Sequence, residues 1–384
     1  MPTEPTPALP TLQWQSPEGD IRQALWRSEA GVMPPATVVL ADDTLNADKA
    51  YKLVCEGTAL LWQGDYHQAR QMLQALARRV DRKGSAKPAD SAKAAFHQHR
   101  QRQAQKARVL GLVLLPFDAE HTVPLRRAPD VREACEAVWG PCTEPYVASL
   151  RELQGLIGAH EWRKTGVAIP VLQGRIHAHY GVFSPVRGEY VNLVAQAPLP
   201  PATHATSVAF DIGVGSGVLS AVLAKRGIQQ VVATDQDTRA LDCARANLTQ
   251  LGLMSQVDLQ QVDLFPAGRA PLVVCNPPWV PAKPSAPIEY AVYDPDSRML
   301  KGFLNGLREH LSEGGEGWLM LSDLAEHLGL RTREELLGWV HAAGLQVLGR
   351  LDARPHHPKA SDPNDPLHQA RSKELTSLWR LGAA

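Results

Sequence analysis

The sequence predicts an α/β protein: a doubly wound, seven-stranded, mostly parallel sheet over residues 176–384, preceded by a mainly helical domain over 31–175. Three observations predict it. From Ile176 onward, short apolar runs alternate with amphipathic stretches, the texture of parallel strands covered by helices on both faces. The first of these runs opens into a glycine loop, Gly213-Val-Gly-Ser-Gly217, that leads into a helical pattern. The 384 residues also exceed the usual reach of one hydrophobic core, which asks for two domains.

The elements follow in order. Residues 1–30 open with Pro2, Pro5, Pro7, Pro10 and Pro17 among small and polar residues, too little apolar surface to offset ordering, so a flexible Pro-rich tail is expected. Between Asp43 and Val80, the positions Leu53, Leu60, Leu61, Met72, Leu73 and Leu76 predict two successive helices broken at Gly64-Asp65. Arg78, Arg79, Arg82, Lys83, Lys87, Lys93, Arg100, Arg102, Lys106 and Arg108 face only Asp81 and Asp90 in the next stretch. That run reads either as an RNA-facing surface or as a solvated helix face, with Phe96 the one aromatic available for stacking. A strand is expected over 109–115 and a helix over 150–160.

In the second half, strands are expected near 207–211, 230–235, 257–262, 271–275, 316–321, 345–351 and 374–380. Helices are expected near 217–227, 238–250, 298–311 and 331–342. Only a polar stretch, 352–372, separates the last two strands, so they should pair antiparallel.

Composition bounds the function. Forty basic and forty acidic residues cancel, so the whole molecule exerts no long-range pull on nucleic acid or an anionic surface. Cys55, Cys135, Cys142, Cys243 and Cys275 are scattered and lack C-x-x-C spacing, which points to a reducing, cytoplasmic setting. No apolar run reaches about 18 residues, so no membrane partner is expected. His177, His179, His356 and His357 lack Cys or carboxylate companions at ligand spacing, and no metal is expected.

Two motifs carry chemistry. Asp211 ends the first strand, and Gly213, Gly215 and Gly217 let the backbone turn tightly and approach a ligand without a Cβ in the way. Val218 stands where a dinucleotide pattern would place its last glycine, which disfavours nicotinamide. Asp235 ends the second strand and can accept from two ribose hydroxyls, and Asp263 after the third can accept from an adenine amino group, with Leu264 beside the ring.

After the fourth strand comes Asn276-Pro277-Pro278-Trp279. The prolines fix φ and remove donors, leaving a rigid segment of acceptors. An amide or exocyclic amine nitrogen is a poor nucleophile, so an enzyme attacking through it must orient its N–H groups. The Asn276 side-chain oxygen and the Pro277 carbonyl would accept those hydrogen bonds, while Trp279 would pack on the planar target.

Together, Asp211-Ile-Gly-Val-Gly-Ser-Gly217 and Asn276-Pro-Pro-Trp279 resemble the class I S-adenosylmethionine-dependent methyltransferases with an Asn/Asp-Pro-Pro-aromatic motif. That group includes release-factor glutamine N5-methyltransferases and adenine N6- and guanine N2-methyltransferases. The resemblance covers about 176 to 384 and implies a Rossmann-like methyltransferase sheet. It also implies S-adenosyl-L-methionine as cofactor, held by Asp211, Gly213, Gly215, Gly217, Asp235, Asp263 and Asn276, with target contacts from Asn276, Pro277, Pro278 and Trp279. Trp279 stands where the release-factor enzymes typically have Tyr. The segment His179-Tyr-Gly-Val-Phe-Ser-Pro185 is similar to a Gly-Val-Phe-Ser stretch in ribosomal-RNA guanine methyltransferases, and it reads either as a cover over the cofactor pocket or as core packing by Val182 and Phe183.

The expected activity is methyl transfer to a planar nitrogen, with the exocyclic amine of an RNA base favoured by the basic 78–108 segment and the Gly-Val-Phe-Ser resemblance. A protein glutamine side chain is the alternative acceptor. A non-catalytic factor that binds the cofactor or RNA is the alternative of another class.

Overall fold

The computed structural model describes residues 9–83, 89–284, 287–355, 362, 363 and 365–384. The chain divides into two compact units, Met1–Pro88 with His97–Glu161, and Ala89–Phe96 with Trp162–Ala384.

The first unit contains β1 (Thr11–Gln15), β2 (Ile21–Arg27), β3 (Thr37–Ala41), α1 (Ala47–Cys55), β4 (Thr58–Trp62) and α2 (Tyr66–Lys83). Most of α3 (Ala92–Leu110), β5 (Val113–Phe117), α4 (Arg132–Trp139), β6 (Tyr146–Ser149) and most of α5 (Leu150–Thr165) complete it. Its strands form one sheet in the order β1-β2-β6-β5-β4-β3. The expected helices are present, but a six-stranded sheet organises this unit, which corrects the mainly helical reading.

Two local signals explain the difference. Thr58–Trp62 is a short run paired in parallel with β3 and β5, and such a buried run carries no alternation to separate it from a helix. Leu60 and Leu61 therefore sit on a strand and not on a helix. Residues 11–27 are also not tail: β1 and β2 pair antiparallel, and Leu12 and Trp26 are buried against Leu61, Leu114 and Val147. Their large apolar side chains outweigh the flanking prolines. Residues 1–8 of the expected tail lie outside the described residues. The strand expected at 109–115 starts later, because α3 runs to Leu110.

The second unit opens with a small hairpin, β7 (Val167–Ile169) and β8 (Gly174–Ile176), and then α6 (Glu189–Gln196). It continues with β9 (Val208–Ile212), α7 (Val218–Lys225), β10 (Gln230–Asp235), α8 (Thr238–Gln250), β11 (Val257–Gln261) and β12 (Ala270–Cys275). Then come α9 (Arg298–His310), β13 (Leu311–Ser322), α10 (Leu324–His327), α11 (Arg333–Ala342), β14 (Leu345–Ala353), α12 (His368–Arg371) and β15 (Thr376–Ala383).

Seven strands lie in the order β11-β10-β9-β12-β13-β15-β14. β9 to β13 pair in parallel, and β15 runs antiparallel to both β13 and β14, as the missing helical pattern between the last strands predicts.

Strand periodicity sorts the core onto the two faces of this sheet. Ala209, Val231, Ala233, Leu272 and Val274 point to α6, α7 and α8, while Phe210, Ile212, Val232, Val273 and Cys275 point to α9 and α11. With both faces covered, the carboxyl ends of the parallel strands are where a ligand can enter.

Candidate active site

A cavity of about 270 Å³ lies at the carboxyl ends of β9, β10 and β12. Of the residues singled out in the sequence, Asp211, Gly213, Gly215, Asp235, Asp263, Asn276 and Pro278 line it. Gly217, Pro277 and Trp279 are not among its lining residues. Gly181, Val182 and Phe183 contribute to the wall, where the Gly-Val-Phe-Ser resemblance places a cover.

The glycine loop has the required backbone. Gly213, Gly215 and Gly217 have φ of 78°, 51° and 80°, in the left-handed region that favours glycine. Gly217 caps α7 and packs against α8, and a Cβ on it would lie 3.1 Å from the Ala244 Cα. Its absence of side chain serves helix packing, and not the cavity.

Three carboxylates have different surroundings. Asp211 is buried and accepts from the Ser220 hydroxyl at 2.6 Å. Burial pushes its carboxyl up to about 7, against the lowering effect of that bond. Asp235 accepts from the Gly215 N–H at 3.1 Å and the Asp237 N–H at 3.0 Å, and burial raises its carboxyl as well. Asp263 is half exposed and pairs with Arg298 at 2.5 Å.

The fourth-strand motif holds a feature the sequence did not disclose. The Trp279 indole N–H donates to Asn276 Oδ1 at 2.9 Å. The Arg187 guanidinium lies 5.5 Å from the centre of the Trp279 ring, and Tyr190 meets the ring edge-on at 6.4 Å. Trp279 is thus turned into the wall, and packing of its ring on a target does not match its position.

Sequence reasoning also missed Tyr190, Tyr290 and Met299 on the lining, and Asp294, which holds the Met299 backbone. Tyr290 is 67% exposed and lies on the lining. Asp294 is buried and accepts from the Met299 and Leu300 N–H groups, both at 3.0 Å, which fixes the start of α9. An Asp just before a helical pattern was the available signal.

Other candidates resolve locally. Phe96 is buried among Val280, Leu324 and Leu328, so it offers no stacking face. Arg79 pairs with Asp48 at 2.9 Å and Lys106 with Asp81 at 2.6 Å. His177 Nδ1 lies 2.6 Å from the Arg163 carbonyl oxygen, and burial pushes the His179 imidazole down to about 4. His356, His357 and Lys87 lie outside the described residues. Among the described residues no three His, Cys, Asp or Glu side chains are grouped to hold a metal ion, and no helix is long and apolar enough to cross a membrane.

The cavity fits S-adenosyl-L-methionine on its own geometry. A Cβ on Gly213 would stand 2.5 Å from the Met299 Cε, so glycine keeps the loop clear of the cavity's far wall. Buried Asp211 and half-buried Asp235 place two carboxyl groups on the lining, acceptors for a ligand with vicinal hydroxyls.

Residues 173–337 match the family model described as the methyltransferase small domain. A release factor glutamine methyltransferase of Geobacter sulfurreducens is 33% identical over 40% of this chain and 55% of its own length. The corresponding enzyme of Xylella fastidiosa is 33% identical over 43% of this chain and 65% of its own length. A tRNA1(Val) (adenine(37)-N6)-methyltransferase of a Shewanella species is 32% identical over 27% and 44%. The chain spans about half the length of the curated relatives it matches.

Proposed function

We propose that this chain, whose residues 173–337 match the methyltransferase small domain model, is an S-adenosylmethionine-dependent N-methyltransferase acting on a planar nitrogen. One observation carries the reading: the glycine loop, Asp235 and Asn276, remote in sequence, line a single cavity. Gly213 and Gly215 admit the cofactor close to the backbone, Asp235 takes the ribose hydroxyls, and Asp263 takes the adenine amino group.

When bound, the cofactor would supply an electrophilic methyl to the acceptor lone pair, its C–S pair leaving as a neutral thioether and the proton of the methylated nitrogen passing to solvent. Asn276 Oδ1 and the Pro277 carbonyl accept from the acceptor's N–H groups and align its lone pair with the methyl. Tyr290 offers the open aromatic surface for the planar group.

The acceptor we favour is a protein glutamine side chain. Both relatives aligned over the larger share of their length carry that activity in their names, and Phe96, the one aromatic the basic segment offers for stacking on a base, is buried. The exocyclic amine of an RNA base is the second reading, supported by the adenine-directed relative. Labelled methyl transfer into a cell extract, divided between protease and RNase, tests this. Label lost with protease alone supports the glutamine reading, label lost with RNase replaces it with the base reading, and no label rejects the transferase.

A further inference from the structure

Building on the transferase reading, we propose that Trp279 is a positioning residue that fixes which end of the Asn276 amide faces the acceptor nitrogen. The two ends of a side-chain amide have nearly the same shape and opposite hydrogen-bonding character. An asparagine free to turn would present its NH2 to the acceptor's N–H as readily as its oxygen. An indole N–H only donates, so its 2.9 Å contact with Asn276 requires Oδ1 at that end. The second lone pair of Oδ1 is then left for the acceptor.

The orientation holds because Trp279 is itself held. Arg187 covers its ring and is fixed by Glu189 and Glu374, each 3.0 Å from a guanidinium nitrogen. Both carboxylates are buried, and Glu374 accepts from the Ser322 hydroxyl at 2.6 Å. Tyr190 closes the ring's edge. A phenylalanine could fill this space but could not donate, so the hydrogen bond is the separable part of the side chain.

The test compares Trp279→Phe in the full chain in two backgrounds, with methyl transfer from labelled S-adenosylmethionine into extract as the readout. With Asn276 present, turnover should fall about ten- to a hundredfold while cofactor affinity by calorimetry stays within about twofold. With Asn276→Asp, whose two oxygens are equivalent, the same substitution should cost less than about threefold relative to Asn276→Asp alone. Equal penalties in the two backgrounds would mean that Trp279 acts through packing, and would overturn the inference.

An unsubstituted chain that transfers no methyl overturns the transferase reading, and the inference with it. Should Trp279→Phe fail to bind the cofactor, the indole resonances of nitrogen-15-labelled protein decide. Asn276→Ala should shift one indole N–H and speed its exchange with solvent, whereas no change in any of them would overturn the proposal.

Discussion

The Ser220 hydroxyl donates to Asp211 at 2.6 Å inside the glycine-loop strand and helix, yet burial still pushes that carboxyl up to about 7. A folded-state pKa raised above the unfolded value of about 4 contributes stability below pH 4 that is lost as pH rises through 7. Urea midpoints of the cofactor-free chain should therefore fall between pH 5 and pH 8 by more than those of Asp211→Asn. The reverse ordering would remove Asp211 as the source.

The same carboxyl makes cofactor binding pH-dependent. A cationic ligand favours the ionised form, so affinity for S-adenosylmethionine should rise from pH 6 to pH 8, with proton release visible as buffer-dependent heat. In Asp211→Asn this release should shrink.

Gly217 and Gly213 should fail in different ways. Gly217→Ala forces a Cβ towards Ala244 at a φ of 80° and should cost about 1–3 kcal/mol of stability, read from the urea midpoint. Gly213→Ala is strained as well, but it also faces Met299 across the cavity and should lower cofactor affinity in protein that remains folded.

The Asp263–Arg298 pair is half exposed on both sides, so Arg298→Ala should change stability by less than about 1 kcal/mol. Asp263→Ala should be equally mild in stability but weaken cofactor binding about tenfold by calorimetry. A large loss of stability in either would recast the pair as structural.

Asp294 is buried and satisfies two N–H groups at the start of α9. Asp294→Ala should cost about 1–3 kcal/mol, because both donors lose their partner, and should weaken cofactor binding through displacement of Met299. Thermal unfolding with and without cofactor separates the two effects.

Much of this was legible in the sequence because the signals are short-range. Glycines that need left-handed backbone, a carboxylate ending a strand and a rigid Asn-Pro-Pro segment are all set within a few residues. The alternation of strands and helices after Ile176 likewise gave every strand of the second sheet.

What escaped depends on distant partners. The direction of Trp279 is set by Arg187 and Tyr190, some ninety residues earlier, and no local spacing encodes it. β4 was lost because its run of Ala59, Leu60 and Leu61 is buried between neighbouring strands and shows no period. β1 and β2 escape because the prolines around them signal a tail, while Leu12, Trp14 and Trp26 reveal a strand pair only through the partners they pack against.

The most direct measurement is calorimetric titration of S-adenosylmethionine into the full chain and into Asp235→Ala. One site per chain is predicted, with affinity falling about ten- to a hundredfold when the Asp235 carboxylate is removed. No binding to the unsubstituted chain, or equal affinity in the two proteins, would contradict the placement of the cofactor in this cavity.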